Sequence, residues 1–180
     1  DNINRVLMKN AIISYLGENK PNLITDITSL LNDLGGEFSG VTFATLGRGC
    51  ELTMVYSKPD SLNIDKIKND LDSLETCKNG EFTVKLFELS TEAGPTTKIT
   101  HRIILSGEDK KGLLHKIINT LDENSAVIVR MNTEKITYPE HTQYISRFAI
   151  AVREDNAPKC LSEIVKVAGE MKLTFRYETS

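Results

Sequence analysis

Gly17-Glu18-Asn19-Lys20-Pro21-Asn22-Leu23-Ile24-Thr25-Asp26-Ile27 and Gly107-Glu108-Asp109-Lys110-Lys111-Gly112-Leu113-Leu114-His115-Lys116-Ile117 are one pattern written twice. The offset is 107 − 17 = 90. At that offset Gly17, Glu18, Lys20, Leu23, Ile27 and Leu31 meet Gly107, Glu108, Lys110, Leu113, Ile117 and Leu121, and Asn19 meets Asp109. Matches this dense, in register with an apolar helix pattern, point to an internal duplication. The period is far too long for a solenoid, and there are only two copies, so two tandem domains fit better. A chain of 180 residues has room for two such small domains.

Working outward, each copy has the same elements in the same order. Ala11 to Leu16 and Ile99 to Leu105 are apolar runs of strand length, ending at Gly17 and Gly107. A helix follows, with Leu23, Ile24, Ile27, Leu30, Leu31 and Leu34 on one face in the first copy. Leu113, Leu114, Ile117, Ile118 and Leu121 form the same stripe in the second. Pro21 is expected in the first turn, where a missing N–H costs nothing. Gly35-Gly36 ends the first helix, and Asn124 is the expected left-handed cap of the second. Two strands come next: residues 37–46 and 50–57 around the turn Gly47-Arg48-Gly49, and residues 126–136 and 144–152 around a longer loop holding Pro139. Leu52, Met54 and Tyr56 alternate, as do Tyr144, Ser146, Phe148, Ile150 and Val152.

A second helix is expected after Asp60 as N-cap, with Leu62, Ile64, Ile67, Leu71 and Leu74 buried. Its counterpart begins near Asn156, with Pro158 in the first turn, and buries Leu161, Ile164, Val165 and Ala168. Phe82, Val84 and Leu86, then Leu173, Phe175 and Tyr177, mark the closing strands. The order is βαββαβ twice: a first domain over 8–90, a linker over 91–98 and a second domain over 99–180. The fold class is α+β, two ferredoxin-like units, each a four-stranded antiparallel sheet with both helices on one face. The other face carries Ile145, Ala149 and Ala151, so the sheets or their edges are expected to meet each other or a second chain.

Composition narrows the function classes. Apolar residues make up 39% and charged residues 26%, ordinary for a globular protein. The formal net charge of −3 argues against a dedicated nucleic-acid binder, which needs a basic excess to neutralise phosphates. Cys50, Cys77 and Cys160 are odd in number and form no C-x-x-C pair, so free thiols in a reducing cytoplasm are expected. No apolar run approaches the roughly 20 residues that cross a bilayer. Asp1 to Lys9 has no apolar core of a signal peptide.

Chemistry-bearing motifs are absent. His101, His115 and His141 have no metal-ligand spacing, and there is no G-x-S-x-G, P-loop or dinucleotide fingerprint. No metal, no cofactor and no catalytic residue is therefore expected. The run Asp65 to Asp72 alternates in charge, as a solvated helix face does. The strand Gly49 to Tyr56 lacks the aromatic pair with which related topologies stack RNA bases. What remains is the loop after the first strand of each copy, Gly17–Asn22 and Gly107–Gly112. Backbone N–H groups at a helix start favour a carboxylate, and Asp109 or Asn19 could face an ammonium group. Such a site suits a free amino acid; equally, these residues could serve only as turn and cap.

At this loop the sequence resembles the ACT-domain family, βαββαβ modules that bind amino acids and regulate enzymes or transcription. Their hallmark there, an acidic residue, two residues and a glycine, is matched by Asp109-Lys110-Lys111-Gly112, followed by Leu113. Asn19-Lys20-Pro21-Asn22 departs from it at both key positions. The resemblance implies ligand-binding candidates Asp109, Lys111, Gly112 and Leu113, with Asn19 and Asn22 as the first copy's counterparts. Two such modules with almost nothing else are similar to the glycine cleavage system transcriptional repressor family. Met8-Lys9-Asn10-Ala11-Ile12-Ile13 running into Gly17, and the loop around Pro139, carry that likeness over Met8 to Tyr177. It implies a cytoplasmic, non-enzymatic regulator with glycine or a similar free amino acid as its signal. It also implies contact with a transcription activator protein, no direct contact with nucleic acid or membrane, and a homo-oligomer. The alternatives are a regulatory amino-acid-binding module controlling an enzyme, and a small enzyme on the ferredoxin-like fold, which would need a catalytic arginine or a convergent acid–base set and would gain if Arg48 and Arg130 converged on a pocket.

Overall fold

The computed structural model describes residues 8–88 and 98–180. They fall into two compact units, one before residue 89 and one after residue 97. Apart from Lys98, the linker expected at 91–98 lies outside the described residues. The first unit runs β1 (Met8–Glu18), α1 (Leu23–Asp33), β2 (Glu37–Leu46), β3 (Gly49–Pro59), α2 (Ile64–Asp72), a 3-10 turn (Glu75–Cys77) and β4 (Glu81–Leu86). The second runs β5 (His101–Glu108), α3 (Leu113–Glu123), β6 (Val127–Thr137), β7 (Thr142–Ala151), α4 (Ala157–Glu170) and β8 (Thr174–Thr179). Each unit holds one four-stranded sheet, ordered β2-β3-β1-β4 and β6-β7-β5-β8, and every pairing is antiparallel.

Period-two alternation decides which side each sheet buries. Ile13, Tyr15, Leu52, Met54 and Tyr56 project to one side and meet Leu23, Ile27, Leu31, Ile67 and Leu71 of the two helices. In the second unit Ile103, Leu105, Phe148 and Ile150 meet Leu113, Ile117, Leu121, Cys160, Ile164 and Ala168. Each aliphatic side chain so buried contributes about 1.5–3 kcal/mol. The opposite face of each sheet bears no helix. Both edge hairpins carry a bulge at matched places, between Phe38 and Gly40 and between Ile128 and Arg130, so the duplication extends to backbone irregularities.

The two units end their first helices differently. In the second, the N–H of Ala126 donates directly to the carbonyl of Leu121 at 3.0 Å. In the first, the equivalent Gly36 N–H donates to the Tyr56 hydroxyl at 2.9 Å, which donates onward to the Leu31 carbonyl at 2.6 Å. A Cβ on Gly36 would overlap the Tyr56 ring.

Several local expectations are corrected. The left-handed residue after α3 is Ser125 (φ 57), not Asn124 (φ −101), because Ser125 and Ala126 turn back to bond Asp122 and Leu121. The N-cap of α2 is Asn63, whose side chain accepts from the Asp65 N–H at 2.7 Å, while Asp60 stands earlier and pairs with Lys9. Pro21 precedes α1 rather than opening it. On α4 the buried residues are Cys160, Ile164, Val167 and Ala168, and Val165 is 51% exposed, since it faces away from the sheet. Ile24, Leu86 and Tyr177 are likewise exposed, and Leu74 packs on the core from beyond the end of α2.

Candidate functional site

The loop between β5 and α3 is built by three constraints. Gly107 closes the strand against Leu173, leaving no room for a Cβ. The Lys110 carbonyl accepts the Leu113 N–H at 3.2 Å, forming a tight turn. Gly112 then takes φ 78 and becomes the N-cap of α3, with no side chain to cap the helix. First-turn N–H groups of α3 therefore lack an intrahelical partner. A Cβ on Gly112 would meet nothing within 4 Å, so the space beside Gly112 at the helix start is open.

Around this turn the other candidates take distinct positions. The Asp109 N–H donates to the Thr142 carbonyl at 3.2 Å, tying the loop to β7, and its carboxylate meets Lys135 Nζ at 3.1 Å. That carboxylate already binds an ammonium group, the chemistry an amino acid's amine would ask of it. Lys111 is exposed at the turn. Leu113 is 2% exposed and packs into the core, so it anchors the turn. Lys110 Nζ donates to the Met171 carbonyl at 2.7 Å, pinning the loop to the end of α4. Asp109, Lys111 and Gly112 thus share one turn, with open N–H groups and a carboxylate side by side.

The first unit repeats the backbone but not the chemistry. Asn22 is left-handed too (φ 66), is exposed and makes no side-chain cap. The Asn19 N–H donates to the Arg48 carbonyl at 3.3 Å. Where the second loop holds an ion pair, the register-matched residues of the first are Asn19 and Thr45. Beneath this loop the Tyr15 ring fills the space beside Gly17 and Gly80, and a Cβ on either would overlap it. The Tyr15 hydroxyl is buried without a partner among the described residues, and burial, followed by nearby Cys77 and Cys50, pushes its ionisation up.

Sequence reasoning missed Lys135 and the Lys110 anchor. Lys135 depends on the β6–β7 register, which sets it opposite Tyr144, and the Lys110 anchor depends on where the end of α4 lies beside the loop. Cys50, Cys77 and Cys160 are buried and unpaired, and burial pushes each thiol up, away from the reactive thiolate. His101 is buried with Nδ1 at 2.9 Å from the Thr100 hydroxyl; His115 and His141 are exposed. Arg48 is an exposed turn residue and Arg130 an exposed residue of β6. Among the described residues no group of three His, Cys, Asp or Glu could hold a metal ion. No helix among them is long and apolar enough to cross a membrane.

The sequence matches no family model and no curated protein. Solved structures do match. An uncharacterised protein from Galdieria sulphuraria has a TM-score of 0.76 at 15% identity, over 97% of this chain and 99% of that one. A candidate glycine cleavage system transcriptional repressor has a TM-score of 0.69 at 16% identity, over 97% of this chain and 98% of that one. At such identities the likeness speaks for the fold alone, and that fold is two tandem ferredoxin-like βαββαβ modules.

Proposed function

We propose that the protein is a non-enzymatic regulator that responds to a free amino acid at the β5–α3 loop and passes the signal on by protein contact. The observation that carries this reading is Gly112: a left-handed residue with empty space before it, at an uncapped helix start, three residues from a carboxylate. The open N–H groups suit a ligand carboxylate. Asp109 suits its ammonium group, displacing Lys135. Lys111 stands at the rim, Leu113 fixes the turn from below, and Asn19 and Asn22 form the weaker counterpart in the first module. Glycine is the first ligand to try, given the role in glycine cleavage named for one structural neighbour. A transcription activator is the corresponding partner, with the cytoplasm as the setting and an oligomer as the acting form. The domain limits 8–90 and 99–180 belong to the same proposal.

A thermal-shift screen of the purified chain against the twenty amino acids tests this. A ligand bound only by the folded state raises the melting temperature as RT ln(1 + [L]/Kd). A selective shift that Asp109→Asn removes supports the amino-acid sensor. No shift from any amino acid at about 10 mM, a level at which even millimolar affinities register, overturns the ligand and leaves a pure interaction module.

A further inference from the structure

The helix-free faces of the two sheets differ in charge, arginines outnumbering acids on the second and acids outnumbering bases on the first. On the second sheet each strand contributes one arginine to that face. Arg102 (β5), Arg130 (β6), Arg147 (β7) and Arg176 (β8) all lie opposite the buried alternation, and all are exposed. The register sets them in two rows across the sheet, Arg176–Ile104–Arg147–Asn132 and Glu178–Arg102–Ala149–Arg130. With strands about 4.8 Å apart, the arginines of one row stand about 10 Å apart around an apolar centre. Only Arg147 has an ion-pair partner among the described residues, Glu134 at 3.6 Å.

The fold does not require these arginines. In the first sheet, Ile12, Gly40, Thr53 and Thr83 occupy the same register positions and build the same face. There the charges are acidic: Glu18, Glu51 and Glu81 are exposed on that face, with Glu37 at the β2 end and Lys85 as the counter-charge. One row reads Glu81–Leu16–Glu51–Ala44, and Leu16 is 58% exposed. Two acids flanking an apolar centre, two strand widths apart, repeat the spacing of Arg176–Ile104–Arg147 with the sign reversed.

We propose that the helix-free face of the second module docks the helix-free face of the first module of a second copy of this chain. Arg176 and Arg147 meet Glu81 and Glu51, and Ile104 meets Leu16. Arginine on carboxylate gives forked, directional pairs, and an apolar centre within a charged rim is how protein interfaces are built. A nucleic acid is the poorer occupant. The arginine face offers no aromatic platform for bases, Glu108, Glu134 and Glu178 stand among the arginines, and the chain is net negative. The contact uses neither ligand loop, so it stands or falls apart from the amino-acid reading.

The test is sedimentation velocity on the full chain at low salt, on Arg147→Glu/Arg176→Glu, on Glu51→Arg/Glu81→Arg, and on their equimolar mixture. The wild type associates, and added salt weakens it as it screens charges beyond a few ångströms. Each charge-reversed variant self-associates at least about 100-fold more weakly, because like charges now face each other. Mixing the two restores association, since every face then finds its complement. Should reversal disturb folding, Arg147→Thr/Arg176→Thr places on the second sheet the residues the first already uses, Thr53 and Thr83. A monomeric wild type, a variant that associates undiminished, or a mixture that stays apart each overturns the proposal. Including a duplex oligonucleotide checks the rival: binding that tracks the arginines in a monomeric protein gives the face to nucleic acid.

Discussion

The ends of α1 and α3 answer one requirement in two ways. After its first helix each module must turn back toward the sheet, and a backbone N–H must meet the carbonyl five residues earlier. Ala126 and Leu121 meet directly. Between Gly36 and Leu31 a tyrosine hydroxyl is inserted, accepting from one and donating to the other. The register-matched residue of Tyr56 in the second module is Ile150, which has no hydroxyl to insert. So the glycine at 36 follows from the tyrosine. It is there because the ring needs the volume a Cβ would fill, and its φ is not left-handed. The difference teaches that a glycine in one copy of a duplication can be a packing partner where its neighbour Gly35 (φ 90) is a conformational one.

The largest expected effect breaks that coupling. Gly36→Ala forces a methyl group into the Tyr56 ring and destabilises the protein by about 3 kcal/mol, the upper part of what overpacking costs. If ring and glycine are a matched pair, Gly36→Ala/Tyr56→Ile recovers much of the loss, because it recreates the Ala126–Ile150 arrangement of the second module. A double-mutant cycle in urea measures the coupling. Additive losses would show that the two residues are independent. Next in size is Tyr56→Phe, which keeps the ring and removes the bridge. A buried N–H and a helix-end carbonyl lose their partner, at a cost of about 2 kcal/mol. Equilibrium unfolding checks it, and a loss no larger than that of Tyr15→Phe would sink it, since the Tyr15 hydroxyl has no partner to lose among the described residues.

The same pair shows what is legible in a sequence. Element order, both helix stripes and the duplication are written in apolar spacing, because burial of one face is what the spacing encodes. The Gly112 turn is legible too, since a glycine before an apolar helical run has a local meaning. Tyr56 reads correctly as a core residue, but its hydroxyl's task depends on a helix end twenty residues away in sequence. Lys135 and the arginine face are invisible for the same reason. Their partners are set by strand register, which depends on turn geometry and bulges and not on composition. Caps fall between. Asn63 displaced Asp60 because both are good N-cap residues, and packing of Ile67 and Leu71 chose the start of α2.

The smallest effect on stability concerns the loops themselves. Asn22 and Gly112 occupy the same left-handed position, φ 66 and φ 78, at the start of equivalent helices. Asparagine is among the few residues with a side chain that enters this region readily. A side chain at 112 has open space before it. Gly112→Asn therefore costs less than about 1 kcal/mol, whereas Gly112→Val puts a β-branched residue at positive φ and confounds binding with strain. If the glycine serves the fold alone, Gly112→Asn leaves any amino-acid-induced thermal shift untouched. If it leaves room for a ligand at the helix start, the shift disappears while the unliganded melting temperature holds. The reverse exchange, Asn22→Gly, is equally mild for the fold and gives the first loop no response by itself, because Asn19 supplies no carboxylate. Only Asn19→Asp with Asn22→Gly would carry the acid and the open backbone from the second loop to the first, and calorimetric stoichiometry against the wild type would count the gain.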